Sequence, residues 1–239
     1  MIPRIYHFER VGSTMDLIHQ LAAEGAEAGT IVVAGEQLEG RGSRGRAWHS
    51  PPGGLWLSAL FRPPTTGAVE VISLRVGLAV ATAVESLGCG RIHLKWPNDL
   101  MLEERKVGGI LCEARWQGAA LGWVAAGVGL NVRNRIPAEL ESLAVSLDQI
   151  RPIVSVKEVL ERVMAVLPMV DLGAEQLSPP ELDQFARRDW LSGRKIREPM
   201  RGTVTGVRED GALLVRTASG SEIPLRSGSV QLAAASHTG

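Results

Sequence analysis

Residues 92–132 read IHLKWPNDLMLEERKVGGILCEARWQGAALGWVAAGVGLNV. The stretch breaks into extended apolar runs joined by turn chemistry. Residues 92–96 predict a strand, and Pro97-Asn98-Asp99 is a turn signal. Residues 100–102 and 106–115 flank Glu103-Glu104-Arg105 and read as a hairpin, followed by a further strand over 121–132. Three strands in direct succession are incompatible with strict βαβ alternation. Upstream, residues 2–8, 30–37 and 55–61 also read as strands. Ser13 is placed to cap a helix, with Asp16 completing a capping-box-like pattern, and Leu17, Ile18 and Leu21 give that helix an apolar face. Residues 69–87 carry Leu74, Leu78, Ala81 and Val84 at helical spacing. Residues 155–170 open on a capping box from Ser155 to Glu158, and Ser178-Pro179-Pro180-Glu181 opens a last helix. From Gly193 the pattern becomes short strands, at 203–207, 212–217, 222–225 and 229–232, with Asp210-Gly211 and Ser219-Gly220 as hairpin turns. The fold class that follows is α+β: a mixed β-sheet flanked by helices, with a small C-terminal β-barrel.

Bulk properties exclude several functions. The chain has 239 residues, 45% apolar and 22% charged, which is ordinary for a folded domain. Basic and acidic side chains balance at 26 each, so the Lys/Arg surplus of a general nucleic-acid binder is missing. Cys89 and Cys112 have no partner cysteine or histidine at metal spacing and read as buried reduced thiols. No protein-built metal site is expected. The N-terminus lacks the apolar stretch of a signal peptide, and the run over 119–132 is too short and Gly-broken to span a bilayer. The expectation is a cytoplasmic protein without membrane attachment.

Four segments carry chemistry. GRGSRGR, residues 40–46, sets three glycines among three arginines. Glycine lets the backbone approach a ligand closely, and exposed N–H groups can cradle an anion. Arginine forks add charge-assisted bonds of about 1.5–3 kcal/mol each. The segment is neither a Walker loop nor a dinucleotide fingerprint, and a solvated loop or an RNA-binding arginine patch also fits its composition. Lys95-Trp96-Pro97-Asn98-Asp99 can project Asn98 and Asp99 into a cleft, or be a plain turn. Lys106-Val107-Gly108-Gly109 brings an ammonium beside an unobstructed backbone. Gly127-Val128-Gly129-Leu130-Asn131 marks close backbone approach or a bulge.

In this order, GRGSRGRAWHSPPGGLWLS, KWPNDLML, RKVGGILCEAR and GVGLNV resemble the biotin–protein ligase family over about residues 2–132. Ser13-Thr14 and Glu36-Gln37 fit the same pattern, and the C-terminal β module resembles that family's last domain. The resemblance implies a catalytic domain over 1–190 and an SH3-like β-barrel over 191–239. It implies that biotin is activated with ATP, aided by Mg2+, to biotinyl-5'-AMP and then transferred to a lysine of a biotin carboxyl carrier domain. Lipoate–protein ligase is the nearest alternative. By resemblance, Ser13, Thr14, Met15 and Gln37 line the biotin head site, and Arg41, Gly42 and Ser43 belong to a loop that closes over the adenylate. Lys106 matches a lysine touching both carboxylate and α-phosphate. Trp48 matches an adenine-stacking aromatic, Asn131 an adenylate contact, and Arg44 and Arg46 join Arg41 on the adenylate.

The chemistry makes sense of these types. A carboxylate attacking a phosphate brings two anions together, at a cost of roughly 4 kcal/mol at about 4 Å and an effective dielectric of about 20. Lys106 and Arg41 are the cations that offset it. Asp99 is the candidate to orient or deprotonate the incoming lysine amine. Ser43 stands where many relatives carry arginine, which implies weaker retention of the adenylate. The chain shows no DNA-binding segment before its first strand, so no operator binding is expected. A monomer and a homodimer are both compatible with the sequence.

Overall fold

The computed structural model describes residues 4–66 and 69–233. Along the chain run β1 (Ile5–Val11), α1 (Thr14–Ala23), β2 (Ile31–Gln37), β3 (Leu55–Phe61), α2 (Val69–Glu85), β4 (Ile92–Lys95), β5 (Asp99–Leu102), β6 (Arg105–Gln117) and β7 (Ala120–Leu130). Then come α3 (Val156–Val166), α4 (Pro179–Arg188), β8 (Lys195–Glu198), β9 (Gly202–Val207), β10 (Leu213–Arg216), β11 (Glu222–Leu225) and β12 (Gln231–Leu232).

The first seven strands form one sheet in the order β1-β2-β3-β7-β6-β5-β4. Only β1 and β2 are parallel, joined through α1; the other neighbours are antiparallel. The mixed sheet flanked by helices is therefore present. Alternation along the strands feeds two cores. Val32, Leu60 and Ala125 face α1 and pack on Met15, Ile18 and Ala22. Their neighbours Ile31, Val33, Leu57, Ala59, Val124 and Ala126 face the other way, onto α2. Central β3 is buried along its whole length because both faces are covered. Each fully buried aliphatic side chain there contributes about 1.5–3 kcal/mol.

The capping box expected from Ser155 to Glu158 forms, and the helix expected to open at Ser178 carries a second one, with Glu181. The one expected at Ser13 does not form. Ser13 accepts from Met15 N at 3.3 Å, while Asp16 turns outward to Arg41 at 2.7 Å. The ion pair draws the carboxylate away from the helix end. The strand expected over 2–8 runs over Ile5–Val11 instead, since its pairing with β2 carries Val11 to Gln37; residues 2 and 3 lie outside the described residues.

The C-terminal strands make a second, five-stranded sheet in the order β11-β10-β9-β8-β12. Sequence reading missed β8, whose KIRE offers one buried residue, Ile196. The second sheet joins the main core through Ile196, Val204, Leu213 and Val215. Trp96 Nε1 donates to Gly211 O at 2.8 Å, pinning the β9–β10 turn to the end of β4. Cys89 is buried and Cys112 half-buried, and both are unpaired. No helix among the described residues is long and apolar enough to cross a membrane.

Asp189 follows α4, where its backbone bridges to Leu94 of β4. Its Oδ1 accepts from Leu191 N at 2.9 Å, but its Oδ2 is buried without a partner among the described residues. Burial outweighs the backbone N–H donors and pushes its carboxyl up to about 6. The folded chain thus binds this proton more tightly than the unfolded chain, so stability falls as pH rises from about 4 to about 6 and levels off above. A shift of this size corresponds to about 3 kcal/mol. Urea unfolding of wild type and Asp189→Asn across pH 4–8 should show the difference drifting toward the variant by up to that amount. A pH-independent difference would show that Asp189 is not the titrating group.

Candidate functional site

A cavity of about 600 Å³ opens beside the start of α1, between residues 37–50 and the strands β6 and β7. Its floor is bare. Gly109 of β6 and Gly129 of β7 are directly paired, and Gly127 lies opposite Leu111. A Cβ on Gly127 would sit 3.0 Å from Met15 Sδ, and one on Gly129 would sit 2.7 Å from Trp48 Nε1. The glycines therefore let Met15 and Trp48 lie against the sheet and leave the space above it open.

One end of the cavity is polar, neutral and buried. Gln37 Oε1 accepts from Thr14 N at 2.9 Å and Thr14 Oγ1 at 3.0 Å. Gln37 Nε2 donates to Ser50 Oγ at 2.9 Å, and Thr14 Oγ1 shares a 2.8 Å hydrogen bond with Ser58 Oγ. These bonds fix which way the Gln37 amide faces.

At the other end, Lys106 Nζ pairs with Asp99 Oδ1 at 2.5 Å and stands 4.8 Å from the centre of the Trp48 ring. Trp48 Nε1 is buried without a partner among the described residues. Asn131 is buried and accepts from Asn134 Nδ2 at 3.1 Å; Asn134 Oδ1 in turn accepts from Val132 N at 3.1 Å.

The glycine-arginine segment folds over the side of the cavity. Trp48 N donates to Gly40 O and Gly42 N to Arg46 O, both at 2.8 Å, around a 3-10 turn at Ser43–Gly45. Arg41 reaches away from the loop to Asp16 at 2.7 Å and Glu113 at 3.7 Å. Glu113 also accepts from His19 Nε2 at 2.9 Å, and Trp123 Nε1 donates to His19 Nδ1 at 2.9 Å. With Nδ1 accepting, the proton belongs on Nε2, and the ring is neutral. Burial pulls its pKa down in the same sense.

Ten of the thirteen residues given a binding or catalytic role in the sequence line this one cavity: Thr14, Met15, Gln37, Arg41, Gly42, Ser43, Arg46, Trp48, Lys106 and Asn131. Three do not. Ser13 is used as the α1 cap. Asp99 stands behind Lys106. Arg44, expected on the adenylate, is exposed with φ 61°, and the backbone turns it toward Gly228 instead of inward. Sequence reading missed the wall formed by Asn134, Ile136, Pro137, Leu140, Leu143 and Ala144. That segment is positioned by Lys106 itself, whose N–H donates to Leu143 O at 2.7 Å and whose carbonyl accepts from Val145 N at 3.0 Å. The apolar spacing of Ile136, Leu140 and Leu143 was the available signal. Leu143 is 63% exposed although it lines the cavity, so a ligand would find an apolar rim there.

This geometry has close parallels. The profile of the Biotin/lipoate A/B protein ligase family matches residues 7–131. The bifunctional ligase/repressor BirA of Bacillus subtilis (strain 168) is 37% identical over 150 residues, 61% of this chain and 46% of that protein. The chain thus spans about half the length of that curated relative. The biotin--[acetyl-CoA-carboxylase] ligase of Paracoccus denitrificans is 30% identical over 221 residues, covering 84% of this chain and 90% of the other. The biotin protein ligase from Aquifex aeolicus, in complex with biotin and ATP, superposes with a TM-score of 0.84 at 28% identity, covering 97% of this chain and 100% of that one. With the family profile spanning more than half of its residues, and with a fold that superposes on a solved relative over nearly its whole length, the chain belongs to the Biotin/lipoate A/B protein ligase family.

Proposed function

We propose that this chain is a biotin–protein ligase: it joins the carboxylate of biotin to the AMP portion of ATP and passes the biotinyl group to a lysine of a biotin carboxyl carrier domain. The observation that carries the reading is the polarity of one continuous cavity, neutral hydrogen-bonding groups at one end and Lys106 with Trp48 at the other. A ureido ring offers N–H and C=O groups to Thr14 and Gln37, with Ser13 holding the helix start and Met15 packing beside it. Lipoate, the alternative, has an apolar ring there and would offer no hydrogen bonds to these polar groups in exchange for the water it displaces. The names of the relatives point the same way.

In this reading Lys106 offsets the repulsion between the carboxylate and the α-phosphate, and Trp48 takes the adenine on its ring. Asn131 contacts the adenylate. Arg41, Gly42 and Ser43 close over it, with Arg46 adding charge and Arg44 contributing only at longer range. Asp99 holds Lys106 until substrate competes for the ammonium, then orients or deprotonates the acceptor amine. Among the described residues no three His, Cys, Asp or Glu side chains cluster as a metal site. Mg2+ would take its ligands chiefly from the phosphates of ATP. The second sheet is read as an SH3-like barrel, 191–239, beside a catalytic domain over 1–190; residues 234–239 lie outside the described residues. A cytoplasmic location fits this reading.

Three outcomes are expected. Lys106→Ala lowers biotin-dependent ATP–pyrophosphate exchange by roughly 100-fold or more; a change within a few-fold removes Lys106 from the chemistry. Asp99→Asn, supplied with preformed biotinyl-adenylate, transfers biotin to the carrier lysine about 100-fold more slowly, the deficit shrinking as pH rises and the amine ionises unaided. Unchanged transfer would eliminate the proton role. Gly129→Val pushes the Trp48 ring off β7 and weakens ATP binding by about tenfold in calorimetry, as expected for losing a stacking contact, while biotin binding without nucleotide stays at its wild-type value. Equal losses for both ligands would mean the cavity as a whole had collapsed.

A further inference from the structure

Lys95 ends β4 directly across from Asp99 in the β4–β5 ladder, so the two side chains share a face of the sheet. Asp99 is already committed to Lys106 at 2.5 Å. No carboxylate among the described residues lies within ion-pairing reach of Lys95 Nζ, which stands 5.3 Å from the centre of the Trp190 ring. The other cation against that ring is Arg194, whose guanidinium is 3.9 Å from the ring centre and is itself neutralised by two bonds to Glu104, at 2.9 and 2.7 Å. Trp190 is thus fixed by a paired arginine and presents its ring to an unpaired lysine. Arg46, the other nearby cation, bonds only to the neutral Ser43, at 3.3 and 3.0 Å. Lys95 and Lys106 thus share one carboxylate, and Arg46 is close enough to act on Lys95, so positive charge exceeds negative at this end of the sheet.

We propose that Lys95 binds the phosphates that leave ATP as pyrophosphate, and that Trp190 is the residue that positions its ammonium for this. The proposal rests on the ligase reading and names a part of the reaction that Lys106 does not cover. Lys106 faces the forming carboxylate–phosphate bond; Lys95 stands on the far side of Asp99, where the β- and γ-phosphates would extend. The reaction breaks the bond between the α-phosphorus and its bridging oxygen, and that oxygen departs with the electron pair on pyrophosphate. A fixed cation is most effective there, where negative charge accumulates. Burial lowers the pKa of Lys95, with Lys106, Arg46 and Arg194 adding to the effect against Asp99. An arriving polyanion relieves that strain between cations, so the ammonium is poised to accept one. Lysine suits the task as a compact point charge.

The test separates the two halves of the reaction. With Lys95→Met, biotin-dependent ATP–pyrophosphate exchange should fall at least tenfold, through a raised KM for pyrophosphate. Transfer of biotin from preformed biotinyl-adenylate, which has no β- or γ-phosphate, should stay within twofold of wild type. Lys95→Arg should recover most of the exchange. Trp190→Leu should raise the KM for pyrophosphate several-fold and Trp190→Phe, which keeps a ring, much less. An unchanged pyrophosphate KM in Lys95→Met, or equal losses in exchange and transfer, overturns the proposal. Calorimetry with inorganic pyrophosphate alone on wild type and Lys95→Met keeps the assignment testable apart from the ligase reading. Absence of biotin-dependent exchange in the wild type would refute that reading, whereas equal pyrophosphate affinity in the two proteins would refute the role of Lys95.

Discussion

The site depends on a place where the sheet carries no side chains. Gly109 and Gly129 face each other across β6 and β7, and Gly127 lies one pair further along the same face. Elsewhere these strands bury Val107, Ile110, Val124, Ala126 and Val128 in the core. At the glycines the same ladder becomes a floor onto which Met15 and Trp48 can lie. The backbone hydrogen bonds are unaffected by the missing side chains, so the floor is as rigid as the rest of the sheet. A glycine in a strand ordinarily weakens it. Here β3 pairs along its whole length with β7 and holds the floor from one side, which offsets that loss. Side chains placed on such a support keep their geometry better than those on free loops.

From this floor the two ends of the cavity acquire opposite characters by simple means. The polar end uses neutral groups from α1, β2 and β3, each hydrogen-bonded to another, so burying them costs little. The charged end uses one lysine whose backbone is bonded on both sides to residues 143 and 145. Between them, Arg41 leaves the loop and crosses to α1 and β6. Glu113 there is shared with His19, whose Nε2 is directed at it by the bond from Trp123 to Nδ1. The loop is therefore held at one end by a pair between half-exposed groups, a contact worth little on its own. A segment held this weakly can rearrange when an anionic ligand competes for Arg41.

Much of this was legible in the sequence because it was written in local chemistry. The strand-turn-hairpin order of residues 92–132, the box at Ser155, the helix start at Ser178, and the glycines at 127 and 129 all act through their immediate neighbours. What was illegible depends on partners far along the chain. Asp16 looked like a capping residue until Arg41, 25 positions away, claimed it. Arg44 looked equivalent to Arg41 and Arg46, yet a positive φ sends it outward. β8 has one buried residue, Ile196, and takes its place as a strand from pairing with β9 and β12. The wall from Asn134 to Ala144 has no motif; it is shaped by pairing with Lys106.

The same long-range dependence explains a buried charge far from the cavity. Arg75 of α2 is 3% exposed, yet its nitrogens are engaged by Glu181 at 2.7 and 3.3 Å and by the carbonyls of Asp171, Ala174 and Gln176. A cation buried this deeply is tolerable only with such saturation, since leaving it unpaired would cost several kcal/mol. Its partners lie in the stretch that delivers α4, and α4 leads directly into Asp189, Trp190 and Arg194. Irregular chain with few apolar anchors has no other strong reason to adopt one path. Arg75 fixes that path from the main core, Asp189 joins it to β4, and Trp190 then meets Lys95. The second sheet is thereby registered on the charged end of the cavity by a buried ion, a strand bridge and a stacked indole in series, rather than by apolar packing alone.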